Sequence, residues 1–196
     1  MFLDSLRFGL PHPPRLAHRL DRDTSGCLVL GRHRKALSRL GRLFSGGRVE
    51  KVYWAVVRGR PPGESGCIDW PLAKVSRDPR SWWMQVAPDG QPAVTEWRLL
   101  GEDDGLAWLE LRPRTGRTHQ LRVHLAALGC PVLGDPVYGQ AQQEGLVPLQ
   151  LHARAITLPL YPNRQPVHVE APVPEHMRDY LARLGLKAEE RAAPTR

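Results

Sequence analysis

Six consecutive apolar residues, from Val52 to Val57, leave few options for the fold. Their β-branched and aromatic side chains predict a strand over residues 49–57, and the unbroken run indicates burial on both faces. A chain of 196 residues with 41% hydrophobic positions can build the core that such a strand needs, so general disorder is excluded. No apolar run approaches the ~20 residues of a membrane-spanning helix, so we expect no membrane contact.

Periodicity predicts the other elements. Residues 33–45 have Leu37, Leu40 and Phe44 at helical spacing and end at Gly46-Gly47, so we expect an amphipathic helix there. Further expected helices cover residues 118–128 and 174–184. Expected strands cover residues 27–31 (short and buried), 81–86, 93–100, 106–111 and 150–158, with an acidic hairpin turn at 102–105, a loop at 59–66 and a loose excursion at 68–92.

This order of elements predicts an α+β fold dominated by antiparallel strands. We expect a single domain over residues 1–187 and a flexible tail over residues 188–196. No internal repeat or low-complexity block interrupts the chain.

Positive charge is concentrated near the start of the chain. Residues 1–60 hold 13 Arg and Lys against 4 acidic residues, whereas residues 61–196 hold 15 against 16. Arg supplies 24 of the 28 cations, and its planar guanidinium binds phosphate in a bidentate way. Genome composition is an alternative explanation for the ratio of Arg to Lys, but it does not explain the uneven placement of charge. An anionic polymer is the expected partner.

Cysteine and histidine usage predicts neither disulfides nor a metal site. Cys27, Cys67 and Cys130 are odd in number and far apart, and they form no CxxC pair. His119 and His124 differ by five positions and face apart on a helix, which argues against zinc. The first residues carry Asp4 and no cationic stretch before an apolar one, so we expect a cytoplasmic location.

The segment from His18 to Gly26 reads His-Arg-Leu-Asp-Arg-Asp-Thr-Ser-Gly. It places carboxylates and cations in a loop before a predicted strand, where catalytic groups are often held. Each part also has a structural interpretation: Asp23, Thr24 and Ser25 are ordinary turn formers, and Asp21 can pair with a neighbouring arginine at the surface.

This segment resembles the signature of the RluA family of RNA pseudouridine synthases, His-Arg-Leu-Asp, two variable residues and Thr-Ser-Gly. Lys51-Val52-Tyr53-Trp54-Ala55 is similar to the family's Lys-x-Tyr-x-Ala strand. Agreement continues in the blocks that begin at Gly116 (Gly-Arg-Thr-His-Gln-Leu-Arg-Val-His), Gly134 (Gly-Asp-Pro-Val-Tyr-Gly), Leu151 (Leu-His-Ala) and Ala171 (Ala-Pro). The resemblance spans roughly residues 18–177, and it implies the pseudouridine synthase catalytic fold, a mixed and mainly antiparallel sheet flanked by helices and loops.

The resemblance implies that uridine in ribosomal or transfer RNA is isomerised to pseudouridine without a cofactor. Its catalytic residues would be Asp21 as the essential carboxylate, Arg122 as its ion-pair partner and Tyr53 as the aromatic residue against the uracil, where it would also remove the C5 proton. Arg122 lies between Leu121 and Val123, and helical geometry allows its side chain to be exposed. The residues implied in RNA binding are Arg19, Arg22, Arg117, His119 and Gln120.

Three questions stay open at this point. Asp21 would either attack covalently or assist elimination to a glycal. A catalytically silent RNA-binding domain would use the same basic stretch, although binding alone requires none of Asp21, Tyr53 and Arg122 in particular. A hydrolase with an Asp nucleophile would need a second carboxylate or a metal, and no such partner is identifiable.

The chain departs from the family at its start. Relatives carry a strand and turn with Asn-Lys-Pro-x-Gly ahead of His-Arg-Leu-Asp, whereas 17 residues precede His18 here and lack that motif. We therefore expect an N-terminally shortened domain with an unpaired sheet edge, less stable than a version extended upstream. We also expect a monomer.

Overall fold

A computed structural model describes residues 2–76, 78, 82–139 and 147–187. The helices are α1 (Phe2–Ser5), α2 (Arg34–Ser45), α3 (Gln120–Ala127) and α4 (Glu175–Arg183). The strands are β1 (Arg15–Leu16), β2 (Ser25–Gly26), β3 (Leu30–Gly31), β4 (Glu50–Arg58), β5 (Ser65–Asp69), β6 (Leu72–Lys74), β7 (Met84–Val86), β8 (Val94–Asp103), β9 (Leu106–Pro113), β10 (Leu151–Leu158) and β11 (Val167–Glu170).

A seven-stranded sheet organises the fold. Its strands lie in the order β11-β10-β4-β9-β8-β5, and β2 pairs with β10 outside this path. The pairs along the path are antiparallel, whereas β2 runs parallel to β10. This mixed architecture with a mostly antiparallel sheet confirms the predicted α+β class.

Strand β4 is covered on both faces, as its sequence predicts. Ala55 and Val57 point into a cluster that contains Leu121 and Leu125 of α3. Val56 points the other way, into a cluster that includes Met177 and Leu181 of α4. Residues 55–57 are fully buried as a result. Because side chains alternate along a strand, Lys51 and Tyr53 share the α3 face of β4.

Most predicted elements are present, with ends shifted by a few residues. Helix α2 begins after His33, whose ring accepts a hydrogen bond from the Ala36 N–H, and ends at Gly46. The hairpin of β8 and β9 is tighter than predicted: Asp104 and Gly105 both have positive φ, as a two-residue type I′ turn requires. The predicted tail, residues 188–196, lies outside the described residues.

Three predictions about strands were wrong or incomplete. Residues 27–31 do not form one buried strand; β2 and β3 are separate short pieces, and Leu28 between them is exposed. Strand β5 begins inside the loop expected at residues 59–66, and β6 lies inside the loose excursion expected at residues 68–92. Strand β11 was missed because all four of its residues are exposed, so no alternation of polar and apolar residues marks it.

The longest helix in the described ranges, α2, has 12 residues. None of the helices described there has the length and apolar character needed to cross a membrane.

Candidate active site

A cleft of about 550 Å³ opens beside β4. It is bounded by the loop that contains His18 and Asp21, by the end of α2, and by the segment from Pro113 to Leu121. The predicted site residues that line it are Arg19, Asp21, Tyr53, Arg117, His119 and Gln120. Four of the sequence blocks of the resemblance, which begin at His18, Lys51, Gly116 and Leu151, therefore meet at one cavity.

The loop that carries Asp21 is fixed at both ends. The His18 ring accepts a hydrogen bond from the Val29 N–H (2.9 Å) and stacks on Phe44. Burial lowers the pKa of His18, which keeps its ring neutral and able to accept. At the other end, Gly26 has a φ of 109°, and a Cβ there would overlap the backbone of Ala153. Glycine at position 26 thus allows β2 to lie against β10.

Asp21 lies at the wall of the cleft with its side chain 16% exposed. Its Oδ2 is 3.7 Å from Nη1 of Arg122, and its Oδ1 is 3.9 Å from Nε2 of His119. A guanidinium and an imidazole from the start of α3 therefore face one carboxylate. Asp21 and Arg122 are neighbours, as predicted, although the distance between Oδ2 of Asp21 and Nη1 of Arg122 is longer than a hydrogen bond.

Arg122 is buried, not exposed, and its direct partner is Asp135. Nε and Nη2 of Arg122 donate to the two carboxylate oxygens of Asp135 at 2.7 and 2.6 Å. Asp135 is fully buried, and its Oδ1 also accepts from the backbone N–H groups of Val137 and Tyr138. Burial alone would raise the pKa of Asp135, but these hydrogen bonds outweigh it and hold the pKa below its usual value. In the sequence, only the position of Asp135 in the Gly-Asp-Pro block indicates that this residue belongs to the site.

His119 caps α3 in a left-handed conformation, with a φ of 52°. Its Nδ1 lies 2.8 Å from the Tyr138 hydroxyl, which accepts from the Met84 N–H. When the Tyr138 hydroxyl donates to Nδ1, the N–H of a neutral His119 lies on Nε2, which faces Asp21. Burial lowers the pKa of His119, although Asp21 opposes this, and the Trp82 indole packs edge-on against the ring.

Gln120 is buried and its amide is saturated within the protein. Its Oε1 accepts from the Thr115 hydroxyl and the Arg117 N–H, and its Nε2 donates to Val94 O and Thr95 Oγ1. Because these four hydrogen bonds occupy the amide of Gln120, it is not available to bind a phosphate. Gln120 therefore has a structural role and not the expected role in RNA binding. Gln120 holds the loop before α3 against β8.

Tyr53 and Lys51 line the cleft from the same face of β4. Burial, followed by the charge of Asp21, raises the pKa of Tyr53 to about 12. The phenol is therefore neutral at ordinary pH, which argues against Tyr53 as the base that removes a proton from C5. Lys51 donates to Thr115 O at 3.2 Å, and burial lowers its pKa. Its place in the Lys-x-Tyr-x-Ala block was the only sign that Lys51 belongs to the site.

The three arginines predicted to bind RNA divide between the cleft and the surface outside it. Arg19 and Arg117 are exposed and line the cleft, and Arg117 Nε donates to Pro92 O. Arg22 is exposed but lies outside the cleft lining. Two of the three arginines therefore border the cavity directly.

The remaining buried histidines hold the fold. His124 lies between Thr95 Oγ1 and Trp70 O, each at 2.9 Å from a ring nitrogen. His152 lies between Ser25 Oγ and Ala171 O. Among the residues that the structure describes, no three or more His, Cys, Asp or Glu side chains are grouped as metal ligands would be.

Comparisons with known proteins agree with the resemblance seen in the sequence. A family model described as RNA pseudouridylate synthase matches residues 3–127. An uncharacterized RNA pseudouridine synthase of Zymomonas mobilis is 46% identical over 180 residues, which cover 91% of this chain and 81% of that protein. One from Chloroflexus aurantiacus is 52% identical over 127 residues, which cover 64% of this chain but only 39% of that protein.

A solved structure agrees with the sequence matches. Human RNA pseudouridylate synthase domain containing 1 superimposes with a TM-score of 0.77 at 28% identity, and the match covers 100% of this chain and 87% of the human one. The chain belongs to the RNA pseudouridylate synthase family.

Proposed function

We propose that this chain converts uridine in a structured ribosomal or transfer RNA to pseudouridine, with Asp21 as the catalytic carboxylate. The observation that carries the proposal is the position of Asp21 in the cleft, 3.7 Å from a buried guanidinium that Asp135 holds in place. A guanidinium fixed in this way stabilises negative charge beside the substrate without moving during the reaction.

The reaction balances without a cofactor. The bond between N1 and C1′ breaks, the uracil turns within the cleft, and C5 bonds to C1′. C5 loses its proton and N1 gains one, so no electrons are exchanged with another molecule. Asp21 supports the first step either by covalent attack on the ribose or by assisting elimination to a glycal.

Tyr53 provides the wall against which the uracil packs. Its ring shares the cleft with Asp21, and aromatic rings stack readily on bases. Because the pKa of Tyr53 is raised to about 12, its hydroxyl acts in the neutral form, as a hydrogen-bond donor or acceptor to the turning base.

The target base must leave its stack to reach Asp21. Arg19 precedes Asp21 by two residues in the catalytic loop, and Arg117 also lines the cleft. Both arginines can therefore bind phosphates that flank the extruded nucleotide. Arg22, exposed beside the same loop, extends this positive surface.

Tritium release from RNA labelled at uridine C5 tests the proposal. We expect wild-type protein to release tritium from ribosomal or transfer RNA, and Asp21→Asn to reduce release by on the order of a thousandfold or more. Asp23→Asn is the matched control, since Asp23 is an exposed carboxylate outside the cleft lining. RNA binding without release by wild type would instead favour a catalytically silent RNA-binding domain.

A further inference from the structure

A second groove, of about 540 Å³, lies on the far side of the end of α2 from the candidate active site. Its lining includes Arg39, Arg42, Arg48, Arg164 and Tyr161, which we call the basic groove. Pro159, Pro162 and Pro166 also line it, and their rings restrict the backbone of that segment. Neither the motifs nor the family match assigns a role to this surface.

Within the part of the chain that the structure describes, no carboxylate neutralises the cations of the basic groove. In the described ranges, none of Arg39, Arg42, Arg48 and Arg164 forms an ion pair with a carboxylate. By contrast, exposed Arg98 on β8 and Arg112 on β9 pair with Glu110, and Arg114, just after β9, pairs with Glu96. Like charges kept close together without a counter-charge repel each other, and an anionic ligand would relieve that repulsion.

Tyr161 lies among these cations. Its ring is 50% exposed, and the guanidinium carbons of Arg39 and Arg164 are 5.4 and 5.5 Å from the ring centre. A half-exposed aromatic side chain next to cations can combine base stacking with phosphate binding, which is the combination that single-stranded nucleic acid favours.

The turn at the end of α2 separates the basic groove from the cleft. Phe44, Ser45 and Gly47 line the cleft, whereas Arg42 and Arg48 line the basic groove. A strand that leaves the cleft across this short turn would enter the basic groove directly.

We propose that the basic groove binds an unpaired segment of the substrate RNA next to the nucleotide held in the cleft. The proposal rests on the proposed function for the identity of its ligand. The arginines would bind successive phosphates and Tyr161 would stack on a base, so the groove would add affinity for RNA longer than the cleft can hold.

The test compares a triple variant, Arg42→Gln with Arg48→Gln and Arg164→Gln, with a control triple, Arg98→Gln with Arg112→Gln and Lys187→Gln. Both remove three exposed positive charges, but the control residues do not line the basic groove. Binding is measured with a long and a short labelled oligouridylate at several salt concentrations, and melting temperatures establish that both triples are folded.

For the long oligouridylate, we expect the groove triple to raise Kd on the order of tenfold and to lower the salt slope by about 2, since each phosphate contact contributes ~0.7. The short oligouridylate, which the cleft alone can hold, should lose less than twofold. Tyr161→Ala should also weaken binding of the long RNA, and Tyr161→Phe should restore it.

Equal losses in the two triples, or equal losses for long and short RNA, would overturn the groove proposal. So would an unchanged Kd in the groove triple. Absence of tritium release by wild type would instead count against the proposed function, and the binding result for the groove would stand separately.

Discussion

Arg122 donates two hydrogen bonds to Asp135 while its third nitrogen, Nη1, faces Asp21 at 3.7 Å. The two carboxylates therefore differ in kind. Asp135 is fully buried and accepts four hydrogen bonds, whereas Asp21 is partly exposed and lines the cleft. One carboxylate holds the guanidinium, and the other remains available to a substrate.

This difference predicts that two conservative variants will lose stability to different extents. Asp135→Asn should lower the free energy of unfolding by about 3 kcal/mol or more, because a buried arginine loses its charged partner. Asp21→Asn should change it by less than about 1 kcal/mol, because no direct hydrogen bond joins Asp21 to Arg122. Urea unfolding of both variants measures the effects, and a larger loss of stability for Asp21→Asn would contradict the division of roles.

Stability should fall as the pH drops from about 6.5 to about 4. Burial, helped by the charges of Arg154 and His176, lowers the pKa of His152 to about 4, although the Ala171 carbonyl opposes this. The unfolded chain binds a proton near pH 6.5, so acid favours unfolding throughout this window. Burial also lowers the pKa values of His18, His119 and His124, which act in the same direction.

Thermal or urea unfolding between pH 7 and pH 4 measures this dependence. His152 alone accounts for up to about 3 kcal/mol. His152→Asn should therefore flatten the dependence in part. Identical pH profiles for wild type and His152→Asn would show that His152 is not held neutral.

Tyr53 should act without ionising. Because the pKa of Tyr53 is raised to about 12, we expect tritium release to show no basic limb from this residue between pH 7 and pH 10. Tyr53→Phe keeps the ring against the uracil and removes the hydroxyl, so it should reduce activity less than Tyr53→Ala does. A phenolate absorbance that appears below pH 10 in wild type and is absent from Tyr53→Phe would disprove the assignment.

Variants of Gln120 and Arg117 should differ in their effects: a change at Gln120 should lower stability, and a change at Arg117 should lower affinity for RNA. Gln120→Ala removes the four hydrogen bonds of a buried amide and should lower the free energy of unfolding by about 2 kcal/mol or more. Arg117→Gln, at an exposed position, should stay within about 0.5 kcal/mol of wild type but bind RNA more weakly. If Gln120→Ala weakened RNA binding at unchanged melting temperature, the sequence-based role for Gln120 would be restored.

Local patterns predicted a large part of the fold. The helical spacing of Leu37, Leu40 and Phe44 predicted α2, and the apolar run of β4 predicted burial on both faces, because each pattern reports a backbone period. The motif blocks identified Asp21, Tyr53 and His119, which do line one cleft. Strand β11 could not be found in this way, since backbone hydrogen bonds to β10 hold it while its four side chains are exposed.

The sequence by itself determined which chemical groups this protein has and which segments favour helix or strand, because those preferences depend on neighbouring residues. Only the tertiary structure decided which groups meet. It paired Arg122 with Asp135, turned the Gln120 amide inward and set Arg48 beside Arg164, since these contacts join segments that are distant along the chain. A charged or polar side chain has the same local signature whether it binds RNA or holds the core, and burial and available partners distinguish the two.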